Sequence, residues 1–497
     1  MISLTRSMSV CSRGIRPRKR RRACSAFFRA ASRLREASSE IRYRILSGAS
    51  CRAVNSSTSI DSRKGIIMKR SNDSSHKGLS RREFLVRGGA AMAALFGTKI
   101  HPLQAEGNSA DQLTLPGGVK SVVFLNMMGG MSHVDTFDPK KTSMFRSVPS
   151  SIPGVSVGEP FARTARELHR VNLIRTVNSD VGDHEGAQHL LHTSHKRIAG
   201  FNDIPSFGAV IAFAKQGKGT YFPEHITIGG KGGLVGEGGF LGNRFASFHV
   251  SNLDRPVSNL KPAWGSVDSA RMMRREMLLD LINGDFASRV QGTNVAVYEQ
   301  LQKSALDFMN SDRLSVFELQ SEPEAVRKRY GETMAGKALL LARRLAAVEV
   351  PFIEISIGGW DTHDNNRDRI AKIASELDPA LATFLADMDS SGLLKQTLFV
   401  LSSEFGRTPD VSSNGDGRDH YPKVWTTLIG GGSLGRGRVI GQTDEKGERP
   451  VKDAVSVPEQ MATIYAAAGL KGDAVLTTSF GRPFQLVSRA KPVQALF

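Results

Sequence analysis

From residue 106 onward, short β-branched apolar runs alternate with longer stretches whose apolar residues recur every three or four positions. The runs Ser121–Asn126, Val171–Thr176, His225–Ile228, Pro351–Ile357, Thr397–Leu401 and Trp425–Ile429 each end in a Gly- or Asx-rich turn and read as strands. Met334–Ala347 places Leu339, Leu340, Ala342 and Leu345 along one stripe. About Ile370–Met388, residues Ile373, Leu377, Leu381, Leu385 and Met388 recur at helical spacing. Apolar strands alternating with amphipathic helices predict an α/β fold: a doubly wound, mostly parallel sheet with helices on both faces. No repeat period or Pro/Ser-rich linker divides 106–497, which reads as one domain with insertions.

The chain of 497 residues carries a formal charge of +19, but the excess lies at the N-terminus. Residues 1–67 have a net charge of +13 and residues 68–105 of +5, leaving +1 for the remainder. A nearly neutral body gives no ground for a nucleic-acid partner. Cys11, Cys24 and Cys51 also lie in the first 67 residues. The body therefore has no disulfide framework, thiolate zinc site, iron–sulfur site or cysteine nucleophile.

Ser80-Arg81-Arg82-Glu83-Phe84-Leu85 precedes a short Gly/Ala-softened apolar run, Val86–Phe96, and Leu103-Gln104-Ala105 offers a small residue for cleavage. The twin arginines Arg81 and Arg82 before such a run predict a twin-arginine signal over 68–105, read by the twin-arginine export machinery. The mature protein is then periplasmic or extracellular. The run is well short of the ~20 apolar residues a stable membrane span requires. Met68-Lys69-Arg70 is an ordinary start for such a signal, so residues 1–67 read as an over-extended gene start. Any peptide from residues 1–60 in the expressed precursor would contradict that.

Two glycine-rich stretches are set aside. Gly229–Gly242 matches neither phosphate-loop pattern and reads as a surface loop. Gly431–Gly435 has the form G-x-S-x-G, but the nucleophile elbow needs a helix directly after Ser433, and a turn and strand follow.

Four polar clusters follow strands or lie between elements: Gly129–Lys140 with His133 and Asp135, Gly358–Asn366 with Asp361 and His363, Ser402–Pro409 with Glu404 and Arg407, and Gly417–Pro422 with Asp419 and His420. In an open α/β sheet the ligand site lies off the carboxyl ends of the strands, where these clusters would meet. Carboxylates and imidazoles without thiolates suit Zn, Mn or Fe better than Ca or Mg, and their number allows one or two divalent ions. Such ions polarise a phosphoryl or sulfuryl oxygen and activate a nucleophile. Arg407 could hold a substrate anion in a bidentate contact. In Asp183–His195, His184 is nearest a strand end and is the histidine selected, since His184, His192 and His195 cannot all share a helical face with His189. Thr176, Ser179 and Ser194 are weaker hydroxyl candidates, and Trp360 reads as packing.

The segments GGMSHVDTFDPK, RYGETMAGKALLLARRLAAVEVPFIEI, GGWDTHDNN, SEFGRTP and GRDHYP, in this order from about Gly117 to the C-terminus, resemble domain-of-unknown-function family 1501. This is a family of exported bacterial proteins in the alkaline phosphatase/sulfatase-like superfamily. The resemblance implies an alkaline phosphatase-like core with divalent metals held by Asp, Glu and His. It puts Asp361, His363, Glu404, Asp419 and His420 at metal positions and His133 and Asp135 at the first-strand metal motif. Two departures stand out: no Cys/Ser-x-Pro-x-Arg formylglycine motif occurs in the body, and Asn126 stands where an Asp would end the first strand. The expectation is an exported metal-dependent hydrolase of phosphate or sulfate esters on small molecules or polysaccharide. The alternative is a noncatalytic metal-containing binding protein acting with other exported proteins.

Overall fold

The computed structural model describes residues 108–497 other than 116, 198–202, 217–221, 231–236, 255–256, 258–268, 290–304, 306, 310 and 413–414. The expected signal with Arg81 and Arg82, the 1–67 extension and part of Gly229–Gly242 lie outside the described residues.

All six expected strands form, to within two residues at either end. They are β1 (Ser121–Met127), β2 (Asn172–Asn178), β3 (His225–Gly229), β5 (Phe352–Ile357), β6 (Thr397–Ser402) and β7 (Trp425–Gly430). Three short strands join them: β4 (Phe248–Val250), β8 (Val439–Ile440) and β9 (Val455–Ser456). The order is β8-β2-β7-β6-β1-β5-β3-β4, with β9 also pairing β2. Every pairing in this sheet is parallel except those of β7, which runs antiparallel to both β6 and β2. The sheet is thus mostly parallel, and β7 enters it from the end where its neighbours finish.

Alternation along β1 sends Val123, Leu125 and Met127 into one core and Val122 and Phe124 into the other. The first core is covered by α3 (Met334–Ala347) and α4 (Asn366–Ser390), the second by α1 (His184–Thr193), α2 (Phe207–Lys215) and α5 (Val457–Ala467). Two covered faces explain why the strands read as continuous apolar runs. Thr333 caps α3 by accepting from Gly336 N, and Ser456 and Glu459 form a capping box on α5. Helix α3 buries Leu339, Leu340, Leu341 and Leu345, each worth about 1.5–3 kcal/mol relative to exposure. No helix among the described residues is long and apolar enough to cross a membrane.

Candidate metal centre

The carboxyl ends of β2, β5 and β6 and the entry to β7 lie along one edge of the sheet, and the loops there carry the expected polar clusters. Asp183 accepts from Gly186 N and so starts α1 at His184. Asp361 and His363 follow β5, and Glu404 follows β6. A two-residue ribbon pairs Gly406–Arg407 with His420–Tyr421 and holds Asp419 and His420 beside them.

The loop after β1 closes tightly over this region. Gly129 has φ +115°, and a Cβ there would stand 2.4 Å from Asp361 N. A Cβ on Gly130 would meet the Phe405 ring at 2.6 Å. These close approaches let Gly129 N donate to Glu404 Oε1 (2.8 Å) while the carbonyls of Gly129 and Gly130 accept from Arg407.

Three imidazoles converge on one oxygen of Asp361. Their Nε2 atoms lie 3.1 Å (His363), 3.3 Å (His420) and 3.4 Å (His184) from Asp361 Oδ1. The His184 contact is within ion-pair distance but lacks hydrogen-bond alignment, and His184 Nε2 has no hydrogen-bond partner among the described residues. Each Nδ1 faces an acceptor: Glu404 Oε1 for His184 (3.0 Å), Asp419 Oδ1 for His363 (2.9 Å) and Gly182 O for His420 (2.8 Å). A proton on each Nδ1 leaves a lone pair on each Nε2, so the lone pairs point at one another and at a carboxylate. His363 Nε2 and His420 Nε2 are only 3.0 Å apart. In that neutral tautomer the lone pairs would repel one another, and either a proton shared among the rings or a bound cation would relieve them.

The spacing fits one. Ligand atoms about 2.0–2.1 Å from a tetrahedral transition ion stand about 3.3–3.4 Å from each other. One ligand atom each from His184, Asp361 and His420 lie mutually within 4.8 Å, and among the described residues these three form the candidate metal group. His363 adjoins it through Asp361 and His420. The donors are imidazole-rich and the Nδ1 partners are carboxylates or a carbonyl, an arrangement suited to Zn or a neighbouring transition metal.

Charge is tuned at the centre. Burial raises the Asp361 carboxyl, but the Arg407 hydrogen bond and charge, with His184 and His363, outweigh it and bring it down to about 2. The Glu404 hydrogen bond raises His184, and burial holds His420 below its ordinary value. Phe405, fully buried, packs its ring against His184 (5.0 Å between centroids) and His420 (4.6 Å).

Several expected roles are redistributed. Glu404 is almost fully buried and is occupied with Gly129 N, Ser403 Oγ and His184, so it orients an imidazole. Asp419 does the same for His363. Arg407 does not present an open fork to a substrate anion: it is fully buried, and it donates to the carbonyls of Gly129, Gly130 and Arg418 and to Asp361. The structure does not bring His133 and Asp135 to the centre. His133 Nε2 donates to Gly447 O (2.7 Å), and burial lowers its imidazole. Asp135 pairs with Arg418 through both carboxylate oxygens (2.8 and 3.2 Å) and accepts also from Ser132, Met144 N and Asn366. Trp360 is buried and stacks on Phe161. The sequence motifs single out neither Phe405 nor the Gly182 carbonyl. Phe405 sits inside SEFGRTP beside two selected residues, whereas a backbone carbonyl leaves no side-chain signal.

The family described as "Protein of unknown function (DUF1501)" matches residues 119–497. No curated protein matches the chain. Solved structures to which it is similar include the lipoteichoic acid synthase LtaP from Listeria monocytogenes, at 8% identity, covering 78% of this chain and 90% of that one with a TM-score of 0.34. Another is the alkaline phosphatase from the Antarctic bacterium TAB5, at 16% identity, with 63% and 92% covered and a TM-score of 0.30. A third is the PsFucS1 sulfatase from Pseudoalteromonas sp., at 10% identity, with 80% and 78% covered and a TM-score of 0.33.

Proposed function

We propose that this chain, which belongs to the DUF1501 family of proteins of unknown function, is an exported metal-dependent hydrolase of phosphate or sulfate esters carried on small molecules or polysaccharide. The observation behind this reading is the convergence of three Nε2 atoms, each with its Nδ1 on an acceptor, upon Asp361 Oδ1. His184, Asp361 and His420 would hold the ion. A divalent transition metal there supplies Lewis acidity toward an ester oxygen and lowers the pKa of water it binds.

The chain's own residues do the rest. Arg407 keeps Asp361 ionised and fixed from the protein side. Glu404 holds the His184 ring, and the Gly182 carbonyl holds that of His420. His363 is exposed and held by Asp419, which places its Nε2 to keep or release a proton next to the ion-binding group. The half-exposed Asp361 leaves the centre accessible to an ester in solution. Export is supported by Arg81-Arg82 and by a body without cysteine. The test is turnover of aryl phosphates and aryl sulfates by metal-loaded protein: activity that disappears in Asp361→Asn supports the reading, and activity equal to wild type in that variant defeats it.

One observation favours the noncatalytic binding alternative. The hydroxyls of Thr176, Ser179 and Ser194 bond to the carbonyls of Asp453, Val181 and Leu486, so none is committed to the centre as a nucleophile. Tightly held metal without turnover on either ester class would select that alternative.

A further inference from the structure

Beneath the centre, in the core on the α1 side of the sheet, lies a buried polar network that the proposed chemistry does not use. Glu354 on β5 and His192 on α1 are each about 1% exposed, and Asn126 on β1 is fully buried. His192 Nε2 is 3.1 Å from Glu354 Oε1, and its Nδ1 is 2.8 Å from Gln188 O. With both ring nitrogens facing acceptors, His192 is the imidazolium of a buried ion pair. Asn126 Nδ2 donates to Glu354 Oε1 (3.1 Å) and Gln188 Oε1 (3.2 Å). The rings of Phe124 and Phe207 enclose His192.

Packing does not account for such a pair. In an aromatic core, apolar side chains of similar volume usually match or exceed the stability of a buried ion pair. What the pair supplies is directional constraint. His184, Gln188 and His192 are spaced four residues apart and share one face of α1. Glu354 and Asn126 stand on the adjacent strands β5 and β1, and β5 leads directly to Asp361. The network therefore ties the face of the helix that begins with His184 to the strand that delivers Asp361.

We infer that Glu354, His192, Gln188 and Asn126 form a positioning device that sets His184 Nε2 against Asp361; the inference rests on the metal-centre reading above. Groups hydrogen-bonded directly to a metal ligand typically account for 10–100-fold in metal affinity, and this network would act on His184 through helix α1.

The experiment compares wild type with the apolar pair Glu354→Leu/His192→Phe, each stripped of metal and titrated with Co(II) alone. The expected result is a thermal midpoint equal to or above wild type, a 10–100-fold weaker Co(II) affinity and a changed visible spectrum of bound Co(II). Unchanged affinity and spectrum would overturn the inference. Glu354→Gln serves the same comparison should the double variant fail to fold. A second readout needs no metal: in ¹⁵N-histidine NMR of the metal-free protein, the His184 resonances should shift in Glu354→Gln and stay put if the network is only structural. A wild type that binds no Co(II) would end the metal-centre reading, and the His184 resonances would then decide the positioning role by themselves.

Discussion

Asp135 and Asp361 both follow parallel strands of one sheet, and each pairs with a fully buried arginine, Arg418 and Arg407 respectively. At Asp135 every contact comes from a donor: Ser132, Ser143, Met144 N, Asn366 and both arms of Arg418. Its carboxylate is fully buried and saturated. At Asp361 one donor, Arg407, meets the same oxygen that three imidazole Nε2 atoms face, and the side chain is half-exposed. Identical residue types thus build a clasp at one place and an unsatisfied centre at the other. The difference lies in whether donors or lone pairs surround the carboxylate, and in access to solvent.

The clasp should give the largest stability effect. Asp135→Ala leaves Arg418 buried without its carboxylate and should cost about 3–5 kcal/mol in urea unfolding. A variant as stable as wild type would erase the distinction between the two aspartates. His225 is an intermediate case, buried but unsaturated: Nδ1 donates to Phe245 O (3.0 Å) while Nε2 has no hydrogen-bond partner among the described residues. Burial lowers its pKa from 6.5 to about 4. Above 6.5 the imidazole is neutral in both folded and unfolded chains. As pH falls from 6.5 through about 4, the unfolded chain takes up the proton first, and stability is lost by up to about 3 kcal/mol. His225→Phe should lack this component of the pH–stability profile, and a profile unchanged from wild type would refute it.

At the open centre the effects move from stability to metal. Glu404→Gln should weaken transition-metal affinity 10–100-fold by loosening the hold on His184 Nδ1, as read by competition with a chromophoric chelator. Unchanged affinity would return Glu404 to a purely structural role. Asp419→Asn should be the mildest in stability, within about 0.5 kcal/mol, because both it and His363 are exposed. A larger loss would mean that the open centre also bears on the fold.

The framework was largely legible in the sequence. Met334–Ala347 forms a helix over the expected residues and the six long strands are where their apolar runs lie, because strands covered on both faces are apolar over most of their length. The apolar pattern does not predict the three short strands or helices α1, α2 and α5. Strands β8 and β9 are two residues each, and α2 (FGAVIAFAK) is apolar all round, with no stripe to detect. Gly431–Gly435 is followed by no helix, in keeping with its rejection as a nucleophile elbow.

The centre was half legible. Asp361, His363, Asp419, His420, Glu404 and His184 do assemble from loops at one sheet edge, as the rule for ligand sites in open sheets anticipates. Which imidazoles face Asp361 and which carboxylates orient a ring is a matter of which atom meets which, and spacing along the chain carries no such information. For the same reason spacing does not separate an anion-holding role for Arg407 from a structural pairing, nor a metal role for Asp135 from its clasp with Arg418. An arginine open to a substrate anion and one spent on Gly129, Gly130 and Arg418 carbonyls look alike until burial is known.

The most direct measurement is metal content, by plasma mass spectrometry, of protein purified after expression of the full chain, compared with His420→Ala. One or two equivalents of a transition metal in wild type, lost in the variant, is the expected result. No transition metal in either protein would contradict the centre.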